Sequence, residues 1–140
     1  MNSKPESHSS SDTIAILVVD DNLINRNVMQ KIFLKLGYST DTAEHVLAAL
    51  EIISKKRYDL IFMDIQMPVM DGLDATREIR RKLGHASPIV IALTANIRNQ
   101  SNEEGMDDYL TKPITLEDIR VVIEKWNDQI YEKREKFSKQ

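Results

Sequence analysis

The chain has 140 residues, 41% of them hydrophobic and 29% charged, with a formal net charge of -3 and no cysteine. That length suits one domain able to bury its own core, and the mild acidity excludes the electrostatic pull of a general nucleic-acid or anionic-membrane binder. The lack of cysteine excludes a disulfide framework and thiolate chemistry and fits a reducing, cytoplasmic setting, while no apolar run reaches membrane-spanning length.

Residues 1–12, MNSKPESHSSSD, are polar and Ser-rich with no hydrophobic middle. They read as a disordered tail or linker ahead of a folded domain at 13–128, not as a signal peptide. Ile14 to Val19 is a continuous branched apolar run, the pattern of a strand buried on both faces, and it ends on Asp20-Asp21-Asn22. The next segment predicts a helix with Ile24, Val28, Ile32 and Leu36 on one face and Gly37 as its stop. YSTDTA predicts a short second strand, and the helix after it carries Val46, Leu47, Leu50 and Ile53. LIFM, Leu60 to Met63, is a third strand that runs directly into Asp64. Past a loop at Met67 to Gly72, a third helix presents Leu73, Thr76, Ile79, Arg80 and Leu83, with the apolar members inward and Arg80 outward. Pro88 to Leu93 is a fourth strand, and DYL before Thr111 a short fifth. The last helix opens with Thr115 and Asp118 as a capping box and buries Leu116, Ile119, Val122 or Ile123, and Trp126. Residues 129–140 read as a charged tail or an extension of that helix.

Strand and helix alternating along the whole chain imply an α/β domain, a doubly wound parallel sheet with helices on both faces. Ligands of such sheets bind beyond the carboxyl ends of the strands. Asp20 and Asp21 follow the first strand, Asp64 the third, Thr94 the fourth and Lys112 the fifth, so all five are expected at one edge. Clustered carboxylates repel unless a cation neutralises them. Magnesium suits them, because it takes oxygen ligands, keeps waters and accepts phosphate oxygens; without cysteine or a histidine cluster, zinc does not. Lys112 and the Thr94 hydroxyl add a point charge and a neutral donor fit for a phosphoryl group. Phosphoryl transfer needs mainly positioning and charge neutralisation, and a carboxylate such as Asp64 can act as its nucleophile.

Each of these residues also has an ordinary reading. Asp20 and Asp21 can cap the first helix together with Asn22, Thr94 and Lys112 can be loop residues, and Tyr109 can be core packing. His8, His45 and His85 read as solvated surface residues, and the Lys55-Lys56-Arg57 and Arg80-Arg81-Lys82 clusters as solvated helix ends. Only the order of the acids, the hydroxyl and the lysine behind successive strands favours a site.

The strings VVDDNLINRNVM, MDIQMPVMDG, ALTAN and GMDDYLTKPI resemble the receiver domains of two-component response regulators, most of all those of hybrid sensor histidine kinases. The resemblance runs from about Ile14 to Trp126. It implies a flavodoxin-like five-stranded sheet of order 2-1-3-4-5, with magnesium bound by Asp20, Asp21, Asp64 and the backbone carbonyl of Gln66. It further implies Asp64 as phosphoacceptor, Lys112 before Pro113 as the active-site lysine, Thr94 as the switch hydroxyl and Tyr109 as the switch aromatic. The implied partners are a histidine kinase, a histidine phosphotransfer protein or both, with no direct nucleic acid and no membrane in this segment; the oligomeric state stays open. No enzyme activity beyond self-dephosphorylation is implied for the segment, which reads either as a stand-alone regulator or as a piece of a larger hybrid sensor histidine kinase. Two other classes fit less well. Aspartyl-phosphate hydrolases of the haloacid-dehalogenase type carry a second aspartate two positions after the nucleophile, where this chain has Gln66, and a flavodoxin-like flavin carrier would have its phosphate repelled by Asp20 and Asp21. In one segment the chain departs from the family: Ile97 to Glu104, IRNQSNEE, is short by about one helical turn of 3.6 residues and has Ile97 as its one large apolar residue. A fourth helix there is expected to be shortened or irregular.

Overall fold

The computed structural model describes residues 14–65, 72–84, 87–95 and 106–138. The strands are β1 (Ile16–Val19), β2 (Thr40–Ala43), β3 (Leu60–Asp64), β4 (Ile89–Thr94) and β5 (Asp108–Thr111). The helices among the described residues are α1 (Leu23–Lys35), α2 (Val46–Lys55), α3 (Gly72–Leu83) and α4 (Leu116–Ser138). All strand pairs are parallel and the order is β2-β1-β3-β4-β5, the expected doubly wound arrangement. Gln66 and the segment Ile97 to Glu104, with its expected irregular fourth helix, lie outside the described residues.

Every residue of β1, β3 and β4 is buried, as continuous apolar runs require when helices cover both faces. Ile16, Val18, Leu60, Phe62, Ile91 and Leu93 point to the face covered by α1 and α4. Leu17, Val19, Ile61, Met63 and Val90 point to the face covered by α2 and α3. On the first face the Phe33 and Phe62 rings meet edge to face with centroids 5.1 Å apart.

The helix ends follow local chemistry. Asn22 caps α1, its side chain accepting the Asn25 N–H at 2.9 Å. Gly37 takes a φ of +96°, and the Tyr38 and Gly37 amides return to the Phe33 and Leu34 carbonyls, a glycine stop where a side chain would be strained. Thr115 and Asp118 form the expected reciprocal box, with bonds of 3.0 and 3.1 Å.

Several side-chain expectations are corrected. Met29 and Phe33 bury α1, with Ile32 and Leu36 packed beside them, whereas Ile24 and Val28 are exposed at 70% and 48%. Leu47 of α2 is also exposed, Leu116 is exposed at the start of α4, and both Val122 and Ile123 are buried. Arg80 does not face outward. Its guanidinium donates to the Ser87 hydroxyl, to the Pro88 carbonyl at 2.7 Å and to Asp107 Oδ2 at 2.6 Å, closing the ends of β4 and β5 against α3. His45 caps α2, with Nδ1 accepting the Ala48 N–H at 3.1 Å. The last helix runs unbroken past residue 128 to Ser138, and Ile130 belongs to the buried core.

Candidate functional site

Asp64 ends β3 two residues after Phe62, and Asp20 and Lys112 lie one residue past the ends of β1 and β5, two residues after Val18 and Leu110. Strand parity therefore carries all three toward the α1 and α4 face at the carboxyl edge of the sheet. Asp20, Asp21 and Asp64 each offer a carboxylate oxygen within 4.8 Å of the others. Lys112 Nζ lies 3.3 Å from Asp64 Oδ1. The burial gradient matters: Asp20 and Asp64 are 1% and 3% exposed, and Asp21 is exposed to solvent.

Local bonds hold the acids in place. Because Asn22 takes the α1 cap, neither aspartate is spent on it. Asp20 Oδ1 accepts the Asn22 N–H at 2.9 Å, and Arg26 Nη1 donates to the Asp20 carbonyl at 2.8 Å, pinning the turn after β1. No spacing rule singles out Arg26 in the sequence; its role appears only when α1 folds back over the strand end. Burial pushes the Asp20 carboxyl above its ordinary value, reinforced by Asp64 and opposed by the Asn22 bond and Lys112. The three acids together could hold a metal ion. Among the described residues the donor set is three carboxylates without histidine or cysteine, which fits magnesium.

Thr94 ends β4, 1% exposed and paired with Thr111, and its carbonyl accepts the Lys112 N–H at 2.8 Å. Tyr109 is half-buried on β5 beside Ala92, two residues before the strand end, and its parity places it on the α2 and α3 face. The Lys112-Pro113 peptide is cis. Next to the acids lies a cavity of about 380 Å³ with Val28, Met29, Leu93, Pro113 and Ile114 as its apolar wall and Asp20, Asn25 and Lys112 as its polar one.

A family model, the response regulator receiver domain, matches residues 16–124. Hybrid signal transduction histidine kinase G of Dictyostelium discoideum is 42% identical over 126 residues, covering 84% of this chain and 4% of that protein. Sensor histidine kinase RcsC of Escherichia coli K12 is 37% identical over 131 residues, covering 91% of this chain and 14% of that protein. The chain thus spans a small part of the curated relatives it matches. Among solved structures, the receiver domain of a Pseudomonas aeruginosa sensor histidine kinase, with magnesium coordinated in its active-site cleft, superposes with a TM-score of 0.74 at 35% identity, covering 81% of this chain and 97% of that one. The receiver domain of the Saccharomyces cerevisiae response regulator Ssk1, crystallised with the histidine phosphotransfer protein Ypd1, superposes with a TM-score of 0.73 at 32% identity, covering 81% of this chain and 88% of that one. No described helix is long and apolar enough to cross a membrane.

Proposed function

Since this chain belongs to the response regulator receiver family, we propose that Asp64 accepts a phosphoryl group from the phosphohistidine of a kinase or phosphotransfer protein. The observation that carries this reading is the meeting of Asp64 with Lys112 at 3.3 Å and with the Asp20 and Asp21 carboxylates within 4.8 Å. An Asp64 carboxylate oxygen attacks phosphorus, and the phosphorus–nitrogen bond breaks with its electrons left on the imidazole, which takes up a proton. Lys112 lies where it can neutralise charge on the transferred oxygens. Asp20, Asp21, Asp64 and the Gln66 carbonyl would hold magnesium, which when bound supplies charge neutralisation for the phosphoryl oxygens. Thr94 and Tyr109 would read the acyl phosphate out as a shifted conformational equilibrium. The test is transfer of labelled phosphoryl from a phosphorylated histidine phosphotransfer protein, with a chelator control; no label on this chain under any magnesium concentration would reject the assignment.

Magnesium is expected to raise the melting temperature by relieving repulsion among the three acids. A ligand present at 100 times its Kd adds about 2.7 kcal/mol of stability. A thermal unfolding curve unmoved by millimolar magnesium would count against the metal site.

Partner docking follows from the same edge. Ile24 and Val28 are exposed apolar side chains on α1, and Val28 also lines the cavity beside Asp20 and Lys112. Apolar surface bordering a charged centre favours a helical partner that brings its histidine to Asp64. Replacing both by alanine should weaken association with a cognate phosphotransfer protein about tenfold, or about 1.4 kcal/mol. Titration calorimetry checks this, and an unchanged Kd would move the docking surface elsewhere.

A further inference from the structure

Asp107 lies just before β5 and Asp108 opens it, and neither takes part in the acceptor chemistry. Successive side chains of an extended segment point to opposite faces, and these two acids reach in opposite directions. Asp107 Oδ2 accepts from Arg80 Nη2 of α3 at 2.6 Å and from the Val90 N–H at 2.8 Å. Asp108 Oδ2 accepts from Trp126 Nε1 of α4 at 2.8 Å and pairs with Lys125 Nζ at 2.9 Å, while Oδ1 accepts the Tyr109 N–H at 2.8 Å. β5 is the last strand of the sheet and is laddered to β4 alone. Its position depends on such side-chain ties more than that of a central strand does.

We propose that Asp108 is a positioning residue that couples the acceptor site to α4, by tying the start of the strand that carries Lys112 to the indole of Trp126. The inference rests on the reading of Asp64 as acceptor. β5 spans only Asp108–Thr111, with Lys112 next and held by Asp64 at 3.3 Å. A short extended segment does not stretch, so a shift of Lys112 toward new charge on Asp64 is passed to Asp108. From there the bond to Trp126 passes it to a helix that continues to Ile130 in the core. Burial pushes the Asp108 carboxyl up, but the bonds from Trp126, Lys125 and Tyr109 outweigh it and hold it below its ordinary value. The tie is therefore between an ionised carboxylate and an indole N–H, stronger than a neutral bond.

Trp126 is the sole tryptophan, so its indole N–H gives a single nitrogen–proton resonance in the labelled full chain. Magnesium and beryllofluoride, a phosphoryl mimic, are added while bound fluoride is followed separately by fluorine resonance. The indole resonance should move in step with bound fluoride in the native chain. That response should be lost in Asp108→Ala and kept in Asp108→Asn, whose amide oxygen still accepts from the indole. Bound fluoride with an unmoved indole in the native chain would overturn the coupling alone, as would a full response in Asp108→Ala. Absence of any bound fluoride would overturn the acceptor reading and the inference with it. If Asp108→Ala does not fold, the native chain and Asp108→Asn still decide, because loss of the response in Asp108→Asn also contradicts the proposal.

Discussion

Replacing Asp64 with asparagine is expected to reduce phosphoryl incorporation to background while leaving the fold intact. The amide has nearly the volume of the carboxylate, which matters at a position 3% exposed at the end of β3. It lacks the anionic oxygen that attacks phosphorus, so no neighbouring group restores the reaction. Two electrostatic changes oppose each other in stability. The variant loses the pairing with Lys112, 30% exposed, but it also loses the repulsion with Asp20. Neither change touches the packing around Phe62 and Leu93. Labelled transfer from a phosphorylated phosphotransfer protein measures the first effect and thermal unfolding the second. Normal acyl phosphate in a folded Asp64→Asn chain would show that another residue is the acceptor.

The largest stability effect is expected at the opposite pole of the sheet. Asp59, just before β3, accepts the Ala15 N–H on Oδ2 at 2.8 Å and receives Arg134 on both oxygens, at 3.0 Å from Nε and 2.6 Å from Nη2. The side chains are 6% and 18% exposed, and the Arg134 guanidinium lies 5.2 Å from the Tyr131 ring. Lys133 adds a bond to the Ser87 carbonyl at 3.1 Å, so the end of α4 is bonded to the chain ahead of β3 and β4. Removing one partner of a buried pair leaves the other charge uncompensated, at a cost of about 3 kcal/mol or more. Arg134→Ala should therefore lower the urea midpoint by on the order of 1–2 M. The paired change Asp59→Asn with Arg134→Met should recover about half of the loss or more, since the asparagine oxygen still accepts from Ala15 and no charge is stranded. An unmoved midpoint in Arg134→Ala would mean that the helix beyond residue 128 lies outside the cooperative unit.

What could be read before folding was whatever depends on neighbours in sequence. Ile14 to Val19, Leu60 to Met63 and Pro88 to Leu93 show as buried strands because they are uninterrupted apolar runs, and Asn22, Gly37 and the Thr115 box mark helix ends through local bonds. The order of Asp20, Asp21, Asp64, Thr94 and Lys112 behind successive strands was enough to expect a shared edge, since parallel strands bring their carboxyl ends together. Tertiary structure alone decided which flank of α1 is buried. Its apolar residues cover more than one stripe, and the packing position of α4 selects Met29 and Phe33 over Ile24 and Val28. Arg80 reads as a solvated residue in a basic helix end because Ser87, Pro88 and Asp107 reach it through other segments. Charged and helix-prone residues past 128 likewise read as a tail or an extension of the last helix, although Ile130 joins the buried core and Arg134 pairs with Asp59, 75 positions away in the chain. Hydrophobic periodicity records how a segment meets the sheet, but a charge finds its partner only through the folded distance between chain segments, and no local pattern encodes that distance.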